Sequence, residues 1–202
     1  MVNWLSSLRY WFKRSMVFMR RFTHSRGFGI QSPSAYRFDR EVINAHHPYH
    51  AYADLQHAFP QQDWLTMKLA RLYFRIAHAT QARQWTLCTH RNDVYRAYIE
   101  AGCRTAIFVD GDEVGEVGKV AAADVLVMTM EDGRWSMCEA FVSSAHEHSI
   151  LIVEGIYASK KAKMRWKELV NDERTGVAFD LYDCGIIFFD YTKSKQLYII
   201  NF

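Results

Sequence analysis

Residues 124–154, DVLVMTMEDGRWSMCEAFVSSAHEHSILIVE, contain the pattern that decides the fold. Asp124–Met130 and Ile150–Glu154 are short apolar runs, of the kind found in strands that are buried on both faces. Trp135–Ala145 lies between them and has the length of a helix. The stretch therefore predicts a strand–helix–strand unit with parallel strands.

The alternation of strands and helices continues on both sides of this unit. Before it, the sequence predicts a strand, a helix and a strand at Trp85–Thr89, Val94–Gly102 and Thr105–Asp110. After it, the sequence predicts a helix and two or three strands at Ser159–Glu173, Gly176–Tyr182, Gly185–Tyr191 and, as a candidate, Leu197–Phe202. This alternation indicates a Rossmann-like α/β fold with a parallel sheet, to which the adjacent carboxyl-terminal strands add an antiparallel edge hairpin.

The amino-terminal region is helical and basic. Residues 1–40 carry eight bases and one acid, a charge of +7, and the remaining residues carry 17 bases and 21 acids, a charge of −4. Apolar residues recur at helical spacing over Asn3–Phe22, with bases on much of the other face. Such a helix either lies on a membrane surface with its bases toward anionic lipid, or packs on its own domain or a twin subunit. We favour packing.

Two further helices follow in this region. Ser32 is a candidate N-cap and Pro33 suits the first helical position, so we predict a helix over Ser34–Asn44. The next helix is predicted over Gln61–Ala79. We divide the chain into a helical basic extension, residues 1–80, and a reduced Rossmann-like domain, residues 81–202.

Composition excludes several classes of protein. The 13 Phe, 11 Tyr and 6 Trp are too many for a disordered chain, and no apolar run approaches the roughly 18 residues that span a membrane. Four cysteines are spaced singly, which favours reduced thiols in the cytoplasm over a disulfide framework. Three histidines fall within residues 46–50, but Pro48 breaks the helical spacing that would align them, so we predict no metal there.

Candidate ligand contacts follow the predicted strands, because ligands of such sheets bind beyond the carboxyl ends of the strands. The candidates are Thr89 and His90 after the first strand, Asp110 and Gly111 after the second, Glu131 after the third and Glu154 after the fourth. Asp110 could accept hydrogen bonds from ribose hydroxyls. The two glutamates could also hold a divalent cation, but further ligands are missing and we predict no metal site.

The turn after the first strand lacks the glycines that a nucleotide cofactor requires. No glycine lies between Trp85 and Ala101, although only a backbone without Cβ can turn tightly against such a ligand. Gly111, Gly115 and Gly118 have the wrong spacing for the dinucleotide fingerprint, and neighbouring acids would repel phosphate.

Three segments carry a resemblance to a known family. They are EGIYASK at 154–160, followed by a helix with Trp166, DLYDCGIIFF at 180–189, and GIQSP at 29–33 with Tyr36. These segments resemble a small group of bacterial class I S-adenosylmethionine-dependent methyltransferases. The resemblance implies a methyltransferase-type sheet with S-adenosylmethionine as the cofactor of active members.

The departures from this family fall in the cofactor site. Where the family has an acid and a glycine-rich turn, residues 87–93 are LCTHRND, and its paired acids after the fifth strand are here Glu154 and Gly155. Only 13 residues, Gly111–Ala123, stand where the family has a helix, a third strand and another helix. We therefore predict that the third strand is missing and the strand order is 2-1-4-5-7-6, with Asp110 as the one retained cofactor contact.

These losses predict a methyltransferase-like protein with a degenerate S-adenosylmethionine site, without a cofactor, that acts as a non-catalytic interaction or structural module. The alternative is an active methyltransferase that binds S-adenosylmethionine through a non-standard loop. A weaker alternative is a membrane-surface or polyanion-binding protein that uses the basic helix. A protein partner or self-association through the amino-terminal helices fits the first hypothesis, peripheral membrane contact is not favoured, and nucleic acid is not an expected partner.

Overall fold

The computed structural model describes residues 4–22, 29–110, 122–130 and 132–202, with residues 4–10, 13, 110 and 132 described by their backbone alone. Within these residues seven strands form one sheet: β1 (Gln84–Cys88), β2 (Ile107–Asp110), β3 (Val125–Thr129), β4 (Ile150–Glu154), β5 (Ala178–Asp180), β6 (Cys184–Phe188) and β7 (Leu197–Ile199). Their order is β2-β1-β3-β4-β6-β5-β7. The first four strands are parallel, and β6 is antiparallel to both of its neighbours.

The sheet confirms the predicted α/β fold and strand order. In the predicted order, the number 3 is kept for the family's third strand, so β3 to β6 correspond to strands 4 to 7. With this numbering the observed order is 2-1-4-5-7-6, and β7 is an additional strand beyond strand 6. The predicted hairpin is antiparallel, but its place at the edge of the sheet was wrong, because β7 pairs in parallel on the outer side of β5. Most of Gly111–Ala123, the segment from which we inferred a missing third strand, lies outside the described residues.

The strands are preceded, and in part connected, by helices. They are α1 (Trp4–Arg20), α2 (Pro33–Phe38), α3 (Ala51–Ala58), α4 (Trp64–Thr80), α5 (Asn92–Gly102), α6 (Trp135–Ser144) and α7 (Lys160–Asn171). Ser32 caps α2 as predicted, Asp63 accepts from the Thr66 amide at 3.0 Å to start α4, and Ser159 accepts from the Ala162 amide at 3.0 Å to start α7. Side-chain caps thus fix three of the helix starts.

Two features of the amino-terminal region differ from the predictions. The helix predicted over Ser34–Asn44 is α2 followed by a π-helical turn at Asp39–Ile43. The Arg75 guanidinium donates to the carbonyls of Val42 and Ile43, where the regular helical ladder has ended. Helix α3 was not predicted, since it is short and none of its residues is buried.

The sheet separates two hydrophobic clusters. Alternate strand residues such as Leu87, Val127 and Ile152 join one cluster with α4, α5 and residues 35–43. Residues such as Leu126 and Val153 join the other cluster, with α6 and α7. Each fully buried large apolar side chain contributes about 1.5–3 kcal/mol. Residues 35–77 therefore contribute to the same core as the strands, and the division of the chain at residue 80 stays a prediction.

The four cysteines, Cys88, Cys103, Cys138 and Cys184, are buried and free. Within the described part of the chain, no helix has both the length and the apolar character needed to cross a membrane.

Gly185 sits where β6 passes under α7. A Cβ at this position would overlap the indole ring of Trp166, which is buried. We expect Gly185→Ala to destabilise the protein by about 1–3 kcal/mol through overpacking, which lowers the melting temperature by several degrees. Thermal melting followed by circular dichroism measures this. The control is Gly133→Ala, whose added Cβ meets nothing within 4 Å. Equal melting of the two variants would contradict the packing argument.

Candidate functional site

The chain changes direction across the sheet at β1. It passes from β1 to β2 on one side and then to β3 on the other, so the order reverses between β1 and β3. In open α/β sheets, the crevice beyond the carboxyl ends of these two strands is the usual ligand position. Here those ends are Cys88 and Thr129.

Arg134 crosses this crevice. It ends the 3₁₀ turn Asp132–Arg134 that leads into α6. Its guanidinium donates to the carbonyl oxygen of Cys88 and, at 3.3 Å, to Oγ1 of Thr129. A cation of the chain itself thus bridges the two strand ends. Sequence reasoning missed Arg134, because a single arginine after a short loop has no periodicity or motif that marks it.

Side chains, and not glycines, close the turn after β1. Thr89 is buried, and its amide and hydroxyl both bond to Oδ1 of Asn92, at 3.1 and 2.9 Å. The Arg91 amide donates to the Thr89 hydroxyl at 3.2 Å, and Nδ2 of Asn92 donates to the Leu87 carbonyl at 3.2 Å. The amides of Thr89 and Arg91 are therefore already bonded within the turn, where a glycine-rich loop would offer its amides to a ligand.

The predicted site residues reach the same edge of the sheet by different elements. Thr89 lies in the turn after β1 and the exposed His90 follows it, while Asp110 ends β2 in register with Leu87 of β1. The side chain of Asp110 is not described, and Gly111 and Glu131 lie outside the described residues. Glu154 ends β4, two strands from β1.

Among the described carboxyl groups at this edge of the sheet, Glu154 has the pKa that differs most from its ordinary value. The Tyr73 hydroxyl of α4 donates to its Oε1 at 2.7 Å, and Tyr95 of α5 forms a second side-chain hydrogen bond. Burial raises the pKa of Glu154 to about 7, against the opposing effects of the two tyrosines and the charges of Arg91 and His90. A carboxyl group with this pKa can gain or lose a proton near neutral pH.

The two tyrosines were not among the predicted site residues. Tyr73 falls within the helix predicted over Gln61–Ala79, and both tyrosine rings are buried, with their centroids 4.8 Å apart. Only the general rule that a buried tyrosine hydroxyl finds a partner could have indicated their role.

Two further acids near this edge of the sheet, Asp180 and Asp183, bind bases of the amino-terminal region. Arg21 contacts Asp180 through Nη2 and Oδ1 at 2.8 Å and also donates to the Asp180 carbonyl at 2.9 Å. Arg14 and Lys68 each approach Oδ2 of Asp183 at 3.7 Å. The Tyr157 hydroxyl donates to Oδ2 of Asp180 at 2.6 Å. Two bases of residues 1–40, Arg14 and Arg21, therefore pair with acids near the carboxyl-terminal end of the sheet's sequence.

A cleft of the protein lies away from this edge of the sheet. A cavity of about 970 Å³ opens between residues 43–49, α3 and α4, and none of the predicted site residues lines it. Among the described residues, no three His, Cys, Asp or Glu side chains are grouped as ligands for a metal ion.

Comparison with known proteins identifies the architecture. No protein-family model matches the chain, and no curated protein sequence matches it. Among solved structures, the SAH-bound Podospora anserina methyltransferase PaMTH1 aligns over 77% of this chain and 93% of its own, with a TM-score of 0.53 and 11% identity. The chain has a methyltransferase-like fold. At this identity the likeness covers the fold alone.

A second solved structure is similar over a smaller share of its length. It is the MycE methyltransferase from the mycinamycin biosynthetic pathway, in complex with Mg and SAH, with 8% identity and a TM-score of 0.46. The alignment covers 71% of this chain and 49% of that one.

Removal of Arg21 should destabilise the contact between the amino-terminal region and the sheet. Asp180 is almost fully buried, so Arg21→Met leaves its carboxylate without a cation, which costs about 3 kcal/mol. Urea unfolding measures the change in free energy. Arg20→Met is the matched control, because the neighbouring Arg20 is exposed and its loss should cost less than about 0.5 kcal/mol. An equal decrease in the free energy of unfolding of the two variants would show that the ion pair does not contribute to stability.

Glu154 should make stability depend on pH. Its folded pKa lies near 7 and its ordinary value is 4.5, so the native state retains a proton that the unfolded state releases between these values. The free energy of unfolding therefore falls as pH rises from about 5 to about 7. We expect Glu154→Gln to melt above the wild type at pH 8 and to lose this advantage toward pH 5.

Melting curves from pH 5 to pH 8.5 test this dependence. The control is Asp190→Asn, because the pKa of Asp190 is lowered to about 2 and its carboxylate is ionised throughout this range. Its offset from the wild type should be constant. An equally constant offset for Glu154→Gln would show that Glu154 does not titrate here.

Proposed function

We propose that this protein is a non-catalytic member of the methyltransferase-like fold, which acts as an interaction or structural module and holds no S-adenosylmethionine. One observation carries the proposal: Arg134 bridges the strand ends Cys88 and Thr129, where such folds place their ligands. The residues as arranged do not fit the cofactor, since the crevice contains a guanidinium bonded to its own walls.

The turn after β1 supports the same function. A cofactor that approaches this turn must find free amides and room for close contact. Thr89 and Asn92 use both the donors and the space for bonds within the chain. The two features are independent, because one arises from the loop before α6 and the other from the start of α5.

The second candidate is an active methyltransferase, and Glu154 favours it. A carboxyl group with a pKa near 7, beside two tyrosine hydroxyls, can accept a proton from an acceptor substrate. PaMTH1, the structural neighbour named above, was solved with SAH bound. In this candidate the side chain of Arg134 must leave the crevice before any cofactor enters.

We also propose a cytoplasmic location. The four buried free thiols support a reducing compartment. A bacterial origin, like membership of the group that the sequence resembles, stays a prediction.

Titration with S-adenosylmethionine and S-adenosylhomocysteine separates the two candidates. A ligand at 100 times its Kd stabilises the native state by about 2.7 kcal/mol, which raises the melting temperature of a chain of this size by several degrees. We expect no rise for the wild type at millimolar ligand. A rise with either ligand would overturn the non-catalytic proposal.

The variant Arg134→Ala tests whether this side chain closes the crevice. Its matched control is Arg104→Ala, at an exposed arginine before β2, beyond the opposite ends of the strands. A ligand-dependent rise confined to Arg134→Ala supports closure by Arg134, and no rise in any variant supports a site that the β1 turn also closes. The second candidate is established if the ligand raises the melting temperature of the wild type and if the wild type transfers methyl groups but Glu154→Gln does not.

A further inference from the structure

Helix α1 and the turn that follows it present a row of large apolar side chains to solvent. Their exposed fractions range from 47% to 70%, and they are Trp11, Phe12, Phe18, Met19 and Phe22. At 100° per residue the four positions within α1 fall within about one-third of the helix circumference, and Phe22 follows in the turn after Arg20. We name these five side chains the aromatic face. An exposed apolar patch of this kind marks a surface that meets a partner or a lipid phase.

The orientation of α1 is fixed from its other side. Arg14 is buried and donates to the carbonyl of Phe202, and Arg21 pairs with Asp180. On the aromatic face itself, the half-exposed Trp11 ring packs against Trp64 of α4, with centroids 5.1 Å apart. Because these contacts hold the arginine side inward, the aromatic face cannot turn into the protein without breaking buried ion pairs. This is the reverse of the usual packing helix, in which the apolar side is inward.

The charge of the segment indicates the nature of the partner. Residues 1–38 contain seven bases and no acid. Three of these bases, Arg9, Lys13 and Arg20, are spaced by four and seven residues, a sequence spacing typical of one side of a helix. Of these, Arg20 is seen to be exposed. An apolar strip beside a basic strip is the pattern of a helix that lies in a membrane interface.

We propose that the aromatic face binds an anionic lipid surface, with α1 in the plane of the interface and Arg20 toward the headgroups. A second copy of the chain fits this face less well, since two such helices face to face bring their bases together with no acid to compensate. The proposal names a partner surface for the module described above. It does not depend on whether the methyltransferase-like site holds a cofactor.

Co-sedimentation of the full chain with vesicles tests the proposal. The probes are phosphatidylcholine vesicles with and without about one-third phosphatidylserine. We expect the wild type to pellet with the anionic vesicles. Phe12→Ser and Met19→Ser should each lower the partition coefficient by about tenfold, because each removes an exposed apolar side chain from the interface. Both positions are exposed, so the melting temperature should not change.

Matched controls distinguish binding through α1 from nonspecific binding by any exposed apolar or basic side chain. Met164→Ser removes an equally exposed methionine from α7, 61% against 66% for Met19, and should bind as the wild type does. Arg20→Glu should weaken binding to anionic vesicles by about fivefold or more, whereas Lys160→Glu at the start of α7 should not.

Three results would overturn the proposal. The first is a wild type that does not pellet with anionic vesicles. The second is equal binding by Met19→Ser and Met164→Ser. The third is a dimer in sedimentation velocity that Phe12→Ser abolishes, which would make the aromatic face a contact between copies. None of these results bears on the titration with S-adenosylmethionine, so the two proposals fail separately.

Discussion

The carboxyl edge of the sheet carries carbonyls and carboxylates that need donors, and the chain itself supplies them. Arg134 meets the carbonyl at the end of β1, Tyr73 meets Glu154 at the end of β4, and Arg21 meets Asp180 at the end of β5. An unpaired buried acceptor or charge costs several kcal/mol, so each donor is held strongly in place. This requirement links the turn before α6, the buried face of α4 and the docking of α1. It also engages donors and acceptors of this edge in bonds within the chain.

Sequence patterns predicted most of the sheet because burial on both faces leaves a clear signal. The run Ile150–Glu154 has the same bounds in the structure, and Asp124–Met130 is longer by one residue at each end than β3. Caps such as Ser32 are local and were predictable as well. The place of β7 was not, because pairing with β5 depends on contacts between distant residues and not on the pattern of the strand itself.

The candidate site was predictable only in part, for the same physical reason. Thr89 and Glu154 could be placed at the carboxyl edge, since position after a strand determines this. The partners that decide their chemistry, Asn92 for one and Tyr73 for the other, come from helices whose sequences show nothing unusual at those positions. Helical periodicity likewise separated the basic and apolar sides of α1 but could not say which side faces inward. Asp180 and Asp183 decide that, far along the chain.

The contacts of α1 determine when this helix can dock during synthesis on the ribosome. Arg21 is synthesised before its acceptor at Asp180, which lies 159 residues later, and the acceptor of Arg14 lies 188 residues later. At about 5–20 residues per second, the helix emerges roughly 10–30 s before the residues that hold it. During this interval α1 has neither its ion pairs nor the carbonyls of Asp180 and Phe202 that Arg21 and Arg14 bind. Its docking therefore follows the synthesis of Asp180 and Phe202.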